Sequence, residues 1–228
     1  MNESGIDFRF IEILEELSAL YEYFNTIEEQ IKYLYEKRHE EIQEKIEKEN
    51  LDEADIDIEF QEYWHKVEDI YPKLFRGSFI VDLWAFYESS LTQVANFLRE
   101  HKNISLKLSD IRGDFIERVK KYFKYVLKFE LHPVSNNEIL KNLYALRNGF
   151  AHANGKLENM NTGMRNSIKA IINQNIGIKE NANNEISIER EFLVSSFDEI
   201  RILVTDLIER TRKWDDERKI NSNKSNIE

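Results

Sequence analysis

Apolar residues recur at three- and four-residue steps from Phe10 through Leu17, Phe24, Ile31 and Leu34 to Ile42, with no proline or glycine among them. A pattern that long fits an extended α-helix, expected from about Ile6 to Lys48. The whole chain carries only two prolines and seven glycines, too few for an all-β sandwich with a turn every few residues. The fold class expected is therefore mainly α, and 228 residues suffice for a core.

The remaining segments read as follows. Lys37 to Glu49 is almost wholly charged and reads as a solvated helix end. Asn50 to Ile58 is acidic and reads as a loop, followed by a short helix over Phe60–Ile70 that should stop near Pro72. Lys73 to His101 is dense in apolar residues and should be central to the core. Ser109 or Asp110 is placed to cap a helix running to about Phe129. Ser135 and Glu138 resemble a capping box opening the next helix, for which Asn154-Gly155 is a natural stop. Thr162–Asn173 forms a further short helix. Residues 176–190 alternate around an Asn-rich turn, as a β-hairpin does. Ser196–Lys213 is a last amphipathic helix, with a polar, frayed tail from about 219. No repeat or flexible linker is visible, so the expected organisation is one domain over 1–228. Its core would span about 73–213 and its N-terminal helical extension about 6–70.

The net charge of −11 argues against general nucleic-acid binding but permits a small, locally basic site. Cysteine is absent, which excludes disulfides, thiolate metal sites and a cysteine nucleophile. Neither the five histidines nor the acidic runs have the spacing of metal ligands, and no phosphate-cradling glycine loop is present. No secretory signal or membrane-spanning stretch of ~20 apolar residues is seen, so a cytoplasmic location with no membrane association is expected.

The segment that carries chemistry is Leu143 to His152. Asn148 and His152 are four residues apart and share a helix face, with Arg147 beside them. Gly149 removes a side chain between them, letting another backbone or a ligand approach. A proton carrier, a fixed cation and an amide thus gather at one helix end. Their bland readings are a helix-end arginine, a histidine at the negative end of the helix dipole and an amide bonded to backbone.

Arg-Asn-Gly-Phe-Ala-His, followed by Ala-Asn-Gly, resembles the R-x4–6-H motif of the HEPN superfamily (higher eukaryotes and prokaryotes nucleotide-binding). Residues 75–98, with Glu88 among apolar neighbours, and residues 104–123 are similar to the preceding helices of stand-alone prokaryotic members. The resemblance implies a helical bundle that dimerises with two motifs meeting at the interface. It also implies, for many members, metal-independent cleavage of RNA with no cofactor in toxin–antitoxin, phage-defence or RNA-processing systems. Catalysis then falls to Arg147, Asn148 and His152, supported by Glu88 and Gly149. The RNA would be left with a 2′,3′-cyclic phosphate and a 5′-OH. The partners implied are RNA, a second copy completing a composite site, and an antitoxin or defence-system protein. Other members are non-catalytic and use the same face to bind nucleotide, RNA or protein; a purely structural helical adaptor is a third reading. Leu146 and Leu143 stand where members paired with nucleotidyltransferase antitoxins carry a charged and an acidic residue, which sets this chain apart from that subtype.

Two supporting expectations concern charge. Glu88 needs a partner if buried, and Arg147 or Arg76 is a candidate mate. Lys121, Lys124 and Lys128, with Arg118 and Lys120, give one helix an excess of positive charge suited to guiding RNA phosphates, although a solvated face is the commoner meaning. Trp64, Trp84 and Trp214 are expected in the core or an interface.

Overall fold

A computed structural model of the chain describes residues 7–49, 51–131 and 138–225. The cap expected at Ser135 lies outside them. The protein is mainly helical, with one small antiparallel hairpin. Helix α1 spans Phe8–Glu49, as its periodicity requires, and α3 spans Tyr71–His101. Helix α5 covers Glu138–Ala153 and α6 covers Thr162–Ile172, capped by the Asn161 side chain on the Met164 N–H. Strands β1 (Ile178–Glu180) and β2 (Ile186–Ile188) pair Ile178 with Ile188 and Glu180 with Ile186. The turn is knit by Asn181, whose side-chain oxygen accepts from the N–H groups of Asn183 and Glu185, each at 3.0 Å.

Four expectations are corrected. The acidic stretch after Asn50 is helical: α2 runs Glu53–Trp64, with Asp52 accepting from the Asp55 N–H at 2.9 Å. Glu53 and Asp55 occupy the first turn, where carboxylates favour the positive end of the helix dipole, so the acidity opens a helix. Pro72 stops nothing. A π turn over His65–Ile70, in which the Tyr71 N–H reaches back to the Lys66 carbonyl, shifts the hydrogen-bond ladder just before the proline, and α3 continues through it. Helix α4 is only Phe115–Lys121, capped by Asp114 rather than Ser109 or Asp110, and passes into a π turn over Tyr122–Leu127. Asp110 instead accepts from the Lys107 N–H in a 3₁₀ turn. Helix α7 begins at Arg190 and continues to Ser225, through the tail expected to fray; buried Phe192 and Leu193 extend its apolar stripe back to the hairpin.

By contacts the chain divides into two compact units. One comprises Met1–Ser18, Ala85–Glu138 and Phe197–Glu228; the other comprises Ala19–Trp84 and Ile139–Ser196. In the first, Phe10 packs on Phe97 at 4.8 Å between ring centroids, and Tyr122, Phe123, Ile200 and Val204 are buried. In the second, Phe24 meets Phe79 at 4.9 Å, and Leu83, Trp84, Leu143, Leu146, Ile168 and Ile186 are inaccessible to solvent. No helix among the described residues is long and apolar enough to cross a membrane.

The first unit contains two carboxylates that link stability to pH. Burial works to raise the pKa of Asp7 and Asp215, but Arg9 beside Asp7, and Lys219 and Arg218 beside Asp215, outweigh it and hold both below the ordinary 3.8. A depressed folded-state pKa contributes stability above the unfolded value that disappears as pH falls through the folded one. The urea midpoint should therefore fall below pH 3.8, and with a shallower dependence in Asp215→Asn. An unchanged slope in that variant would remove Asp215 from the linkage.

Candidate functional site

The apolar face of α5 fixes what the opposite side can present. Leu140, Leu143, Leu146 and Phe150 are buried at three- and four-residue steps, which leaves Arg147 and Asn148 half-buried on the flank and His152 exposed in the last turn. Buried Asn142 adds a tether, donating from Nδ2 to Gln174 Oε1 at 2.8 Å. The helix stops where its sequence says. Asn154 and Gly155 have φ of 49° and 74°, and their N–H groups return to the carbonyls of Phe150 and Gly149 at 2.9 and 3.2 Å. Backbone therefore caps the helix, and His152 is not needed for that purpose.

Arg147 Nη1 donates to Asn148 Oδ1 at 2.9 Å, so the amide orients the guanidinium. This bond fixes a planar cation of the kind that grips phosphate oxygens through paired donors. His152 lies one helical turn beyond Asn148 on the same element, with its imidazole exposed to solvent.

The chain just beyond the motif is held by the hairpin. Leu157 N–H donates to the Asn184 carbonyl at 3.0 Å and Ile186 N–H to the Gly155 carbonyl at 2.9 Å, with Lys156 and Glu185 bridged between them. Lys73 of α3 then reaches Glu185 at 2.8 Å, with both side chains about nine-tenths buried. Arg76 clamps β2 from the same helix, donating to the Ile188 carbonyl and twice to Glu28, each at 2.8 Å. Lys73→Ala is expected to destabilise by roughly 2–3 kcal/mol, less than for a wholly abandoned buried charge, because Lys156 stands 3.7 Å from the same carboxylate. Thermal unfolding of Lys73→Ala beside Lys73→Ala/Glu185→Gln would check this: the pair should recover part of the loss, and additive losses would contradict it.

Gly149 is corrected in role. A Cβ there would lie 3.1 Å from Met160 Cε and 3.3 Å from Ile186 Cδ1, so the missing side chain admits the unit's own core rather than a ligand. Other expected residues belong to the other unit. Glu88 is half-buried on α3 and belongs to the other unit, and its carbonyl accepts from Thr92 Oγ1 at 2.8 Å. Its suggested mate Arg76 is given to Glu28 and Ile188. Lys121, Lys124 and Lys128 are exposed in that other unit: Lys121 meets Glu117 at 2.6 Å, Lys124 lies over the Tyr125 ring, and Lys128 closes the π turn with φ of 48°. Among the described residues no group of three His, Cys, Asp or Glu is arranged to hold a metal.

Sequence reasoning missed Tyr144, one turn before Asn148 on the motif-bearing helix. Its half-buried ring rests on wholly buried Trp84 at 5.1 Å. The four-residue step from Tyr144 to Asn148 was the available signal. Comparisons with protein-family models, curated proteins and solved structures return no match.

Proposed function

We propose that the chain is a metal-independent endoribonuclease of the HEPN type, acting as a homodimer and serving as a toxin or phage-defence effector. The observation that carries this reading is the Arg147–Asn148 bond at 2.9 Å with exposed His152 one turn further along the same helix. RNA cleavage by its own 2′-OH needs three things: a base to take the hydroxyl proton, charge stabilisation on the phosphate, and an acid to protonate the departing 5′-oxygen. His152 supplies the proton chemistry and Arg147 the fixed charge. In a dimer one histidine takes the 2′-OH proton as that oxygen bonds to phosphorus. The other gives its proton to the 5′-oxygen as the P–O bond breaks, leaving a 2′,3′-cyclic phosphate and a 5′-OH.

The test is cleavage of RNA by purified protein in EDTA, with Arg147→Ala and His152→Ala alongside. Loss of cutting in both variants, with fold and dimer retained, supports the reading; equal cutting by all three proteins defeats it. A second reading is a non-catalytic HEPN module that binds nucleotide, RNA or a protein partner: Arg147, oriented by Asn148, can hold a phosphate without any acid–base chemistry. Binding without cleavage by the folded dimer would select it.

A further inference from the structure

The net charge of the protein is concentrated in one place. Residues 29–69, the C-terminal part of α1 with α2 and the following π turn, hold fifteen Asp and Glu against six Lys and Arg, a net −9 of the chain's −11. Every one of those six cations is already committed within the segment, from Lys45–Glu59 at 2.5 Å to Lys37–Glu41 at 4.0 Å. The excess is therefore carboxylate. The helical pair is not merely a solvated end, since it has its own small core of Ile42, Tyr63 and Val67 with Ile46, Phe60 and Tyr71 against it.

Beside that core lies an aromatic group turned toward solvent. Buried Tyr63 backs the rings of Tyr35 and Trp64, at centroid distances of 5.7 and 4.9 Å, and Tyr35 and Trp64 approach each other at 6.0 Å. Yet Tyr35 and Trp64 remain 41% and 40% exposed. Two adjacent exposed rings, held from behind and set in a segment with a carboxylate excess, favour a guanidinium: the ring faces attract the cation, and carboxylates of the segment such as Glu68, one turn from Trp64, can accept its N–H groups.

We propose that the Tyr35–Trp64 face of the α1–α2 pair is the docking surface for an arginine-rich segment of a partner protein. Charge complementarity selects this occupant. Phosphate chains are repelled by the carboxylate excess, and the same face of a second copy carries the same charge. The interaction does not depend on RNA cleavage, and its failure leaves the proposed activity untouched.

The probe is a labelled, arginine-rich amphipathic peptide titrated into the full chain at physiological salt and followed by fluorescence anisotropy. Tyr35→Ala/Trp64→Ala should weaken binding by about tenfold, whereas Tyr35→Phe/Trp64→Phe, which keeps both rings, should bind within a few-fold of wild type. Charge reversal at exposed Glu68 and Asp57, one turn after and two turns before Trp64, should weaken it several-fold as well. Far-UV circular dichroism verifies the fold, and buried Tyr63 is untouched in every variant. The proposal is overturned if wild type does not bind the peptide, or if the alanine variant binds as wild type does. Direct binding of a labelled RNA oligonucleotide, without peptide, that is lost in the alanine variant would also overturn it. So would wild-type self-association that disappears in the alanine variant, since a second copy would then be the occupant.

Discussion

His152→Ala should lower RNA cleavage by about 10²–10⁴-fold, the range spanned by a positioned acid–base group, and shift stability by no more than about 0.5 kcal/mol. The two halves of this expectation rest on the same fact. His152 is exposed in the last turn of α5, and the turn's capping is done by the N–H groups of Asn154 and Gly155. Truncating the imidazole opens no cavity and strands no buried group. Arg147 is the more demanding case because its guanidinium is half-buried and bonded to Asn148. Arg147→Lys keeps the charge but loses the planar fork, so cleavage should fall well below wild type even though attraction for RNA phosphates persists. Single-turnover rates in EDTA, with unfolding curves for each variant, measure both quantities. A His152→Ala protein that is folded, dimeric and fully active would remove His152 from the chemistry. A lysine variant as active as wild type would reduce Arg147 to a point charge.

Much of the scaffold around these residues was legible from local pattern alone. The α1 stripe, the Asn154-Gly155 stop and the hairpin all follow from rules that act over a few neighbouring residues, and each stands in the structure. Local rules misled where one signal has two meanings. The acids at Glu53 and Asp55 have the polarity of a loop but open a helix as first-turn residues, and Pro72 has the character of a stop but is accommodated by a π turn. The surroundings of the motif were least legible because they are tertiary. Nothing near Gly149 in sequence announces Met160 and Ile186, and nothing near Arg76 announces Glu28 or the Ile188 carbonyl. The motif's only local geometric signature is the four-residue step from Asn148 to His152, which by itself specifies no chemistry.

The largest structural effect is expected at Phe150, which lies between Asn148 and His152 on α5 and is buried. Its ring is lodged against two glycines: a Cβ at Gly77 would stand 2.4 Å from Cδ1, and one at Gly155 would stand 2.8 Å from Cε1. Gly155 also has φ of +74°, so a side chain there is strained whatever the space. Phe150→Ala should destabilise by about 3–5 kcal/mol, and Gly77→Ala by about 1–3 kcal/mol through overpacking. Because the ring anchors the helix end that presents the motif, Gly77→Ala should also reduce cleavage, by up to about 100-fold for a displacement near 1 Å, although position 77 lies on α3. The discriminating variant is Gly77→Ala/Phe150→Ala. Phe150→Ala removes Cγ, Cδ1 and Cε1, the atoms that the new methyl would strike, so the double variant should be more stable than the sum of its single losses predicts. Strict additivity would mean that the ring does not sense Gly77. Recovery of stability without recovery of cleavage would separate the anchor's part in holding α5 from the part the phenyl ring itself plays in placing His152.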